Sequence, residues 1–125
     1  MKRIFTYAAT LMIPVLLSSF TYQGKVLSFE KSAHNFGKVK QNDAVTIEFA
    51  FTNTSGKSII IEDATAECGC TKPEFPPRPI AAGKGGTIKV TYDSKTMGAF
   101  TKKVTVKMVN NNDPIVLSIS GEVVS

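Results

Sequence analysis

Tryptophan is absent from the 125 residues, histidine occurs once and cysteine twice. Two cysteines exclude a disulfide-framed miniprotein, and a lone imidazole excludes a histidine-rich metal centre. Beyond residue 22 the only arginine is Arg78, so the arginine and aromatic clusters that line nucleic-acid grooves are missing too. No GxSxG elbow accompanies His34, and Gly83-Lys84-Gly85-Gly86 has neither the spacing of a phosphate-binding loop nor a helical pattern after it. Glu62 and Asp63 are neighbours, and strand neighbours face opposite ways, so no acid pair for proton transfer is implied. The composition, 42% hydrophobic and 20% charged, is that of a globular chain, and the length suits one domain. Nothing in this inventory calls for a cofactor or a catalytic set.

Lys2 and Arg3 precede an uncharged, largely apolar stretch from Ile4 to about Phe20. That order is read as a secretory signal peptide over residues 1–22, with the cut between Ser19 and Gly24. A retained anchor is the rival reading, but Thr6, Tyr7, Thr10 and Pro14 dilute a segment that needs about 20 strongly apolar residues to span a bilayer. The mature chain, 23–125, is then one periplasmic or extracellular domain without a membrane span. Loss of Lys2 and Arg3 leaves thirteen basic residues against ten acidic ones, so the net charge falls from +5 to +3. The remaining lysines are scattered, as on a solvated surface rather than a nucleic-acid interface.

From Gln23 onward, turn residues recur at about the 8 to 12-residue spacing of an antiparallel sandwich, with short alternating runs between them. In Ala44 to Thr52, Val45, Ile47, Phe49 and Phe51 share one face, while Thr46, Glu48, Ala50 and Thr52 share the other. Asn53-Thr54-Ser55-Gly56 then turns the chain into the β-branched run Ser58 to Glu62, and the two segments are expected to form a hairpin. Asn53-Thr54-Ser55 also matches a glycosylation acceptor, although the turn explains the same residues. Pro73 to Gly86 is rich in Pro and Gly, and is expected to be an extended crossover loop. Ile88, Val90 and Tyr92, then Val104, Val106 and Met108, then Ile115, Leu117 and Ile119 are expected to point inward. With short strands near Val26 to Phe29 and Asn35 to Val39, the total is about seven. The fold class is all-β, an immunoglobulin-like antiparallel sandwich.

Glu67-Cys68-Gly69-Cys70-Thr71 is the only constellation with chemical potential. On an extended strand the two cysteines would share a side with Cα atoms about 6.6 Å apart, so a disulfide requires contraction at Gly69, which positive φ would permit. Four readings stay open. The pair forms a local disulfide, or packs as two thiols, or holds a soft metal such as copper or zinc with Glu67, Thr71 and His34 in support, or does redox chemistry. The last lacks the CxxC spacing and helix N-terminus of thioredoxin-like sites.

Phe36-Gly37, Phe51-Thr52-Asn53, Cys68-Gly69-Cys70-Thr71, Pro79-Ile80, Gly83, Tyr92-Asp93, Gly98, Phe100 and Ser120-Gly121 occur in an order that resembles the bacterial domain of unknown function 1573 family over about Phe29 to Val124. Ala82-Gly83 stands where that family usually has Pro-Gly. The resemblance implies an exported immunoglobulin-like domain, similar to modules of adhesion or assembly, and carries no catalytic residue. Two functions from different classes follow. One is a non-enzymatic binding or structural module for a protein or glycan of the cell envelope or exterior; the other is a thiol or soft-metal handling protein centred on Cys68 and Cys70.

Overall fold

The structure, a computed structural model, describes residues 26–125. The leader read over residues 1–22 and its cut lie outside the described residues. Eight strands follow in order: β1 Leu27–Phe29, β2 Ala33–Lys40, β3 Val45–Asn53, β4 Ile61–Ala66, β5 Thr71–Glu74, β6 Gly85–Tyr92, β7 Gly98–Met108 and β8 Ile115–Val124. They form two four-stranded sheets, β1-β3-β6-β5 and β2-β8-β7-β4. The alternation of greasy and polar residues dictates this, because each sheet can hide one face only against another sheet. Leu27, Phe49, Phe51, Ile88, Val90 and Tyr92 come from the first layer, and Ile61, Val104, Val106, Met108, Leu117, Ile119 and Val123 from the second; all are buried. The inward rows are those the alternation names, and the fold is an immunoglobulin-like β-sandwich.

Three expectations need correction. The proposed hairpin does not form: β3 pairs with β1 and β6, whereas β4 pairs with β7 in the opposite sheet. Turn residues specify a reversal but not which layer receives the next strand. Here Ile59 makes a bridge to Ile80, and the chain crosses the core before β4 begins. The Pro73 to Gly86 loop is shorter than expected at both ends. Pro73 sits in β5, an edge strand, where a missing N–H is tolerated. Gly85 and Gly86 open the central strand β6 opposite Thr52 and Phe51. Finally, β2 pairs with the last strand in parallel, so the sandwich is not wholly antiparallel; with the short β5 the expected total of about seven becomes eight.

Two glycines explain themselves by a common device. Phe51 lies across from Gly86 and Phe100 across from Gly121, one such pair in each sheet. A Cβ on Gly86 would come within 2.8 Å of the Phe51 ring, and one on Gly121 within 2.9 Å of both the Phe100 ring and the Gly37 carbonyl. Each ring fills the space its partner leaves. Gly121→Ala is therefore expected to cost about 2 kcal/mol as overpacking. Urea unfolding measures it, and an unchanged midpoint would show that the β2 bulge yields freely.

Candidate functional site

Residues 67–70 join β4, at one edge of the second sheet, to β5, at one edge of the first. The Cys-Gly-Cys motif is thus the strap that carries the chain between layers at one end of the sandwich. The Thr71 N–H donates to the Cys68 carbonyl at 3.3 Å, closing a tight turn. This draws the two cysteine Cα atoms to 5.3 Å, inside the usual disulfide range and shorter than the extended-strand value, with the sulfur atoms at bonding distance. Both side chains are half-buried.

The expected role for Gly69 needs correction. Its φ is not positive, and a Cβ built on it would meet nothing within 4 Å. The i to i+3 turn does the contracting, and any L residue can adopt it. Gly69→Ala is accordingly expected to shift stability by no more than about 0.5 kcal/mol and to leave the cysteines paired. Thiol titration before and after reduction checks the second half, and two reactive thiols in the unreduced variant would contradict it.

The structure brings Thr71 to the cysteines and leaves His34 elsewhere. Thr71 is buried, and its Oγ1 lies 3.6 Å from Cys70 Sγ. Glu67 is exposed beside Cys68. His34 belongs to β2, at the far edge of the sheet order β2-β8-β7-β4, so three strand spacings of roughly 14 Å separate its strand from β4. Its surroundings are its own: Lys31 Nζ donates to Nδ1 at 2.9 Å, and the ring meets Phe36 edge-on at 4.7 Å between centroids. Desolvation, with the nearby Lys31 charge, lowers its pKa below the ordinary 6.5. An imidazole accepting at Nδ1 is neutral, which agrees with that direction. Among the described residues no three of His, Cys, Asp and Glu converge as metal ligands.

Composition did not reveal what does lie beside the motif. The Asp93 N–H donates to the Cys70 carbonyl at 3.0 Å, tying the loop between β6 and β7 to the strap. That loop carries Met97, 49% exposed, beside a concavity of about 350 Å³ that Cys70, Tyr92, Thr96, Phe100 and Lys102 also line. Tyr92 and Phe100 form its floor, stacked at 4.0 Å with planes 19° apart. Burial, reinforced by Asp93, raises the Tyr92 pKa above 10.0. Lys102 is half-buried and shares its side of β7 with Phe100 and Val104. A lysine interrupting an inward apolar row was the sequence signal available for this site. A second depression, about 360 Å³, lies over the β2 bulge between Lys38 and Glu122 and brings together no further chemistry.

The same loop stores strain. Ser94 is fully buried with φ 59°, and its Oγ has no hydrogen-bond partner among the described residues. Ser94→Gly removes both the left-handed penalty and the unsatisfied hydroxyl, against a smaller gain in unfolded-state freedom. A rise in stability of about 1 kcal/mol is expected from thermal unfolding. A loss would mean that the hydroxyl is satisfied in solution.

No curated protein matches the sequence. Among solved structures, the chain is similar to a protein of unknown function from Porphyromonas gingivalis W83, with TM-score 0.68 and 9% identity over 78% of this chain and 46% of that one. It is similar to the seventh PapD-like domain of human CEP192, with TM-score 0.64 and 6% identity over 80% of this chain and 86% of that one. It is also similar to the YadV chaperone, with TM-score 0.58 and 13% identity over 81% and 53%. The chain thus spans about half the length of the Porphyromonas protein and of the chaperone. Identities this low carry the fold alone. Residues 27–123 match the family model described as Protein of unknown function (DUF1573), and the chain belongs to that family.

Proposed function

We propose that this chain is an exported, non-enzymatic binding module of the periplasm or cell exterior that takes up an extended segment of a protein partner along β3. One observation carries the reading. Strand β1 pairs only with Phe51–Asn53, so no strand lies beside Val45–Phe49 on that side of the sheet among the described residues. The Ala50 carbonyl accepts from the Glu30 N–H across that edge, so the peptide groups of Thr46 and Glu48, in phase with Ala50, face outward. Such a row is a template for strand addition. The leader-like residues 1–22 support export, and the likeness to the YadV chaperone supports a protein partner over a glycan.

Glu48→Pro removes one outward N–H and leaves the pairing of β3 with β6 intact. Partner recovered from the native cell envelope by the full chain should be lost with Glu48→Pro, while circular dichroism stays unchanged. A partner retained by the folded variant, or a glycan recovered instead, would refute strand addition. N-terminal sequencing of the exported form tests the leader, and the first residue should fall between Phe20 and Lys25.

Thiol or soft-metal handling is a second reading, supported by the adjacency of Cys68 and Cys70.

A further inference from the structure

Resting on the soft-metal reading of the Cys68–Cys70 pair, we infer that, when the pair is reduced, its two thiolates and the Met97 thioether form a copper(I) site at the end of the sandwich. Met97 is a large apolar side chain left half-exposed, which costs hydrophobic free energy that a core position would recover. Its loop is not loosely placed. The hydrogen bond from Asp93 to Cys70 fastens it to the strap, and Gly98, at φ 105°, sets the turn by which Met97 leads into β7. Cys70 and Met97 face the same concavity, and Cys68 joins through its adjacency to Cys70. With Cα atoms 5.3 Å apart, the two sulfurs can separate by side-chain rotation to roughly 4 Å, the span of two ligands each about 2.3 Å from one ion.

The donor set selects the metal. Thiolates with a thioether are soft ligands that suit copper(I). Zinc calls for at least three His, Cys, Asp or Glu ligands, and no such trio converges among the described residues. Two thiolates and one copper(I) carry a net charge of −1, and Lys102, lining the same concavity, supplies the balancing cation. The stacked Tyr92 and Phe100 rings line the same concavity and add apolar surface beside the sulfur donors.

The chemistry balances in two steps. A small dithiol donates two electrons and two protons to the Cys68–Cys70 bond and itself closes to a disulfide. Copper(I) then displaces both thiol protons to solvent as two S–Cu bonds form, and no electron moves. The oxidised pair offers no thiolate, so loading requires a reducing donor.

The test is an anaerobic titration of the reduced full chain with copper(I) against a chromogenic copper(I) chelator. One ion per chain should be withdrawn from the chelator. Met97→Leu should weaken binding at least ten-fold, Cys68→Ser with Cys70→Ser should abolish it, and His34→Ala should leave it unchanged. X-ray absorption of the loaded wild-type chain should show three sulfur scatterers, a reading that needs no variant to fold. No copper withdrawn, wild-type affinity in Met97→Leu, loss in His34→Ala, zinc preferred to copper, or a shell of two sulfurs would each overturn the site.

Discussion

Phe49→Ala should lower the unfolding free energy by about 4 kcal/mol, the largest loss expected of any single truncation here. Phe49 is 0% exposed and lies opposite Ile88 at the centre of the first sheet, facing the second. Removing the ring forfeits its transfer free energy and leaves a cavity that the sheet can close only in part, because β6 beside it is held by pairing with both β3 and β5. A domain of about 100 residues holds roughly 5 to 10 kcal/mol in total, so the melting temperature should fall by about 20 °C. Val90→Ala and Val106→Ala, one from each layer and both 0% exposed, should each cost about 2 kcal/mol. Urea unfolding of all three decides the matter. Losses under about 0.5 kcal/mol throughout would mean that the inward rows have been assigned to the wrong faces.

Those rows were legible because a strand's period of two leaves a direct trace in sequence. Ile88, Val90 and Tyr92 alternate with Thr87, Lys89 and Thr91, and burial follows that alternation residue by residue. Sheet membership leaves no such trace. Asn53 to Gly56 marks a reversal, yet the same residues serve a hairpin or a crossing between layers, and it was Ile59 meeting Ile80 that decided for the crossing. Gly85 and Gly86 read as loop because their composition is that of loop. They are strand because they pair with Thr52 and Phe51, and they are glycine because the Phe51 ring and carbonyl occupy the volume where side chains would stand. The parallel pairing of β2 with β8 joins residues some eighty positions apart, as in Asn35 opposite Ser120, beyond the reach of any local pattern.

The site divides in the same way. The spacing of Cys68 and Cys70 makes them neighbours in any conformation, but it is the turn closed by Thr71 N–H on the Cys68 carbonyl that brings them to 5.3 Å between Cα atoms. The approach of Met97, Tyr92 and Lys102 depends on how the β6–β7 loop docks against the strap, which is tertiary information. His34 was a candidate only because it is the sole imidazole in the chain, and the strand order carries it to the opposite edge. A residue type scarce in composition is not thereby near the chemistry.

Asn53→Ala should cost about 3 kcal/mol, comparable to a core truncation although the residue is polar. Asn53 is 1% exposed at the end of β3, where the chain leaves the first sheet. Its Nδ2 donates to the Lys57 carbonyl at 2.7 Å and the Ile80 carbonyl at 2.8 Å, while Oδ1 accepts from the Ser55 N–H at 3.0 Å and the Ser55 hydroxyl at 2.8 Å. One side chain therefore ties the crossing loop to the segment before Gly83, and every polar atom it brings inside is matched. Alanine leaves the buried Ile80 carbonyl without this donor and frees a loop that must order itself to bring Ile59 and Ile80 together. Ser55→Ala is the control, since Ser55 is only half-buried and water can replace much of what it offers; about 1 kcal/mol is expected there. Equal losses at the two positions would show that the loop holds itself without the amide. The same geometry decides the acceptor pattern at Asn53-Thr54-Ser55: a glycan would need the nitrogen that already donates to two interior carbonyls, so the folded chain presents a clasp there and not an attachment point.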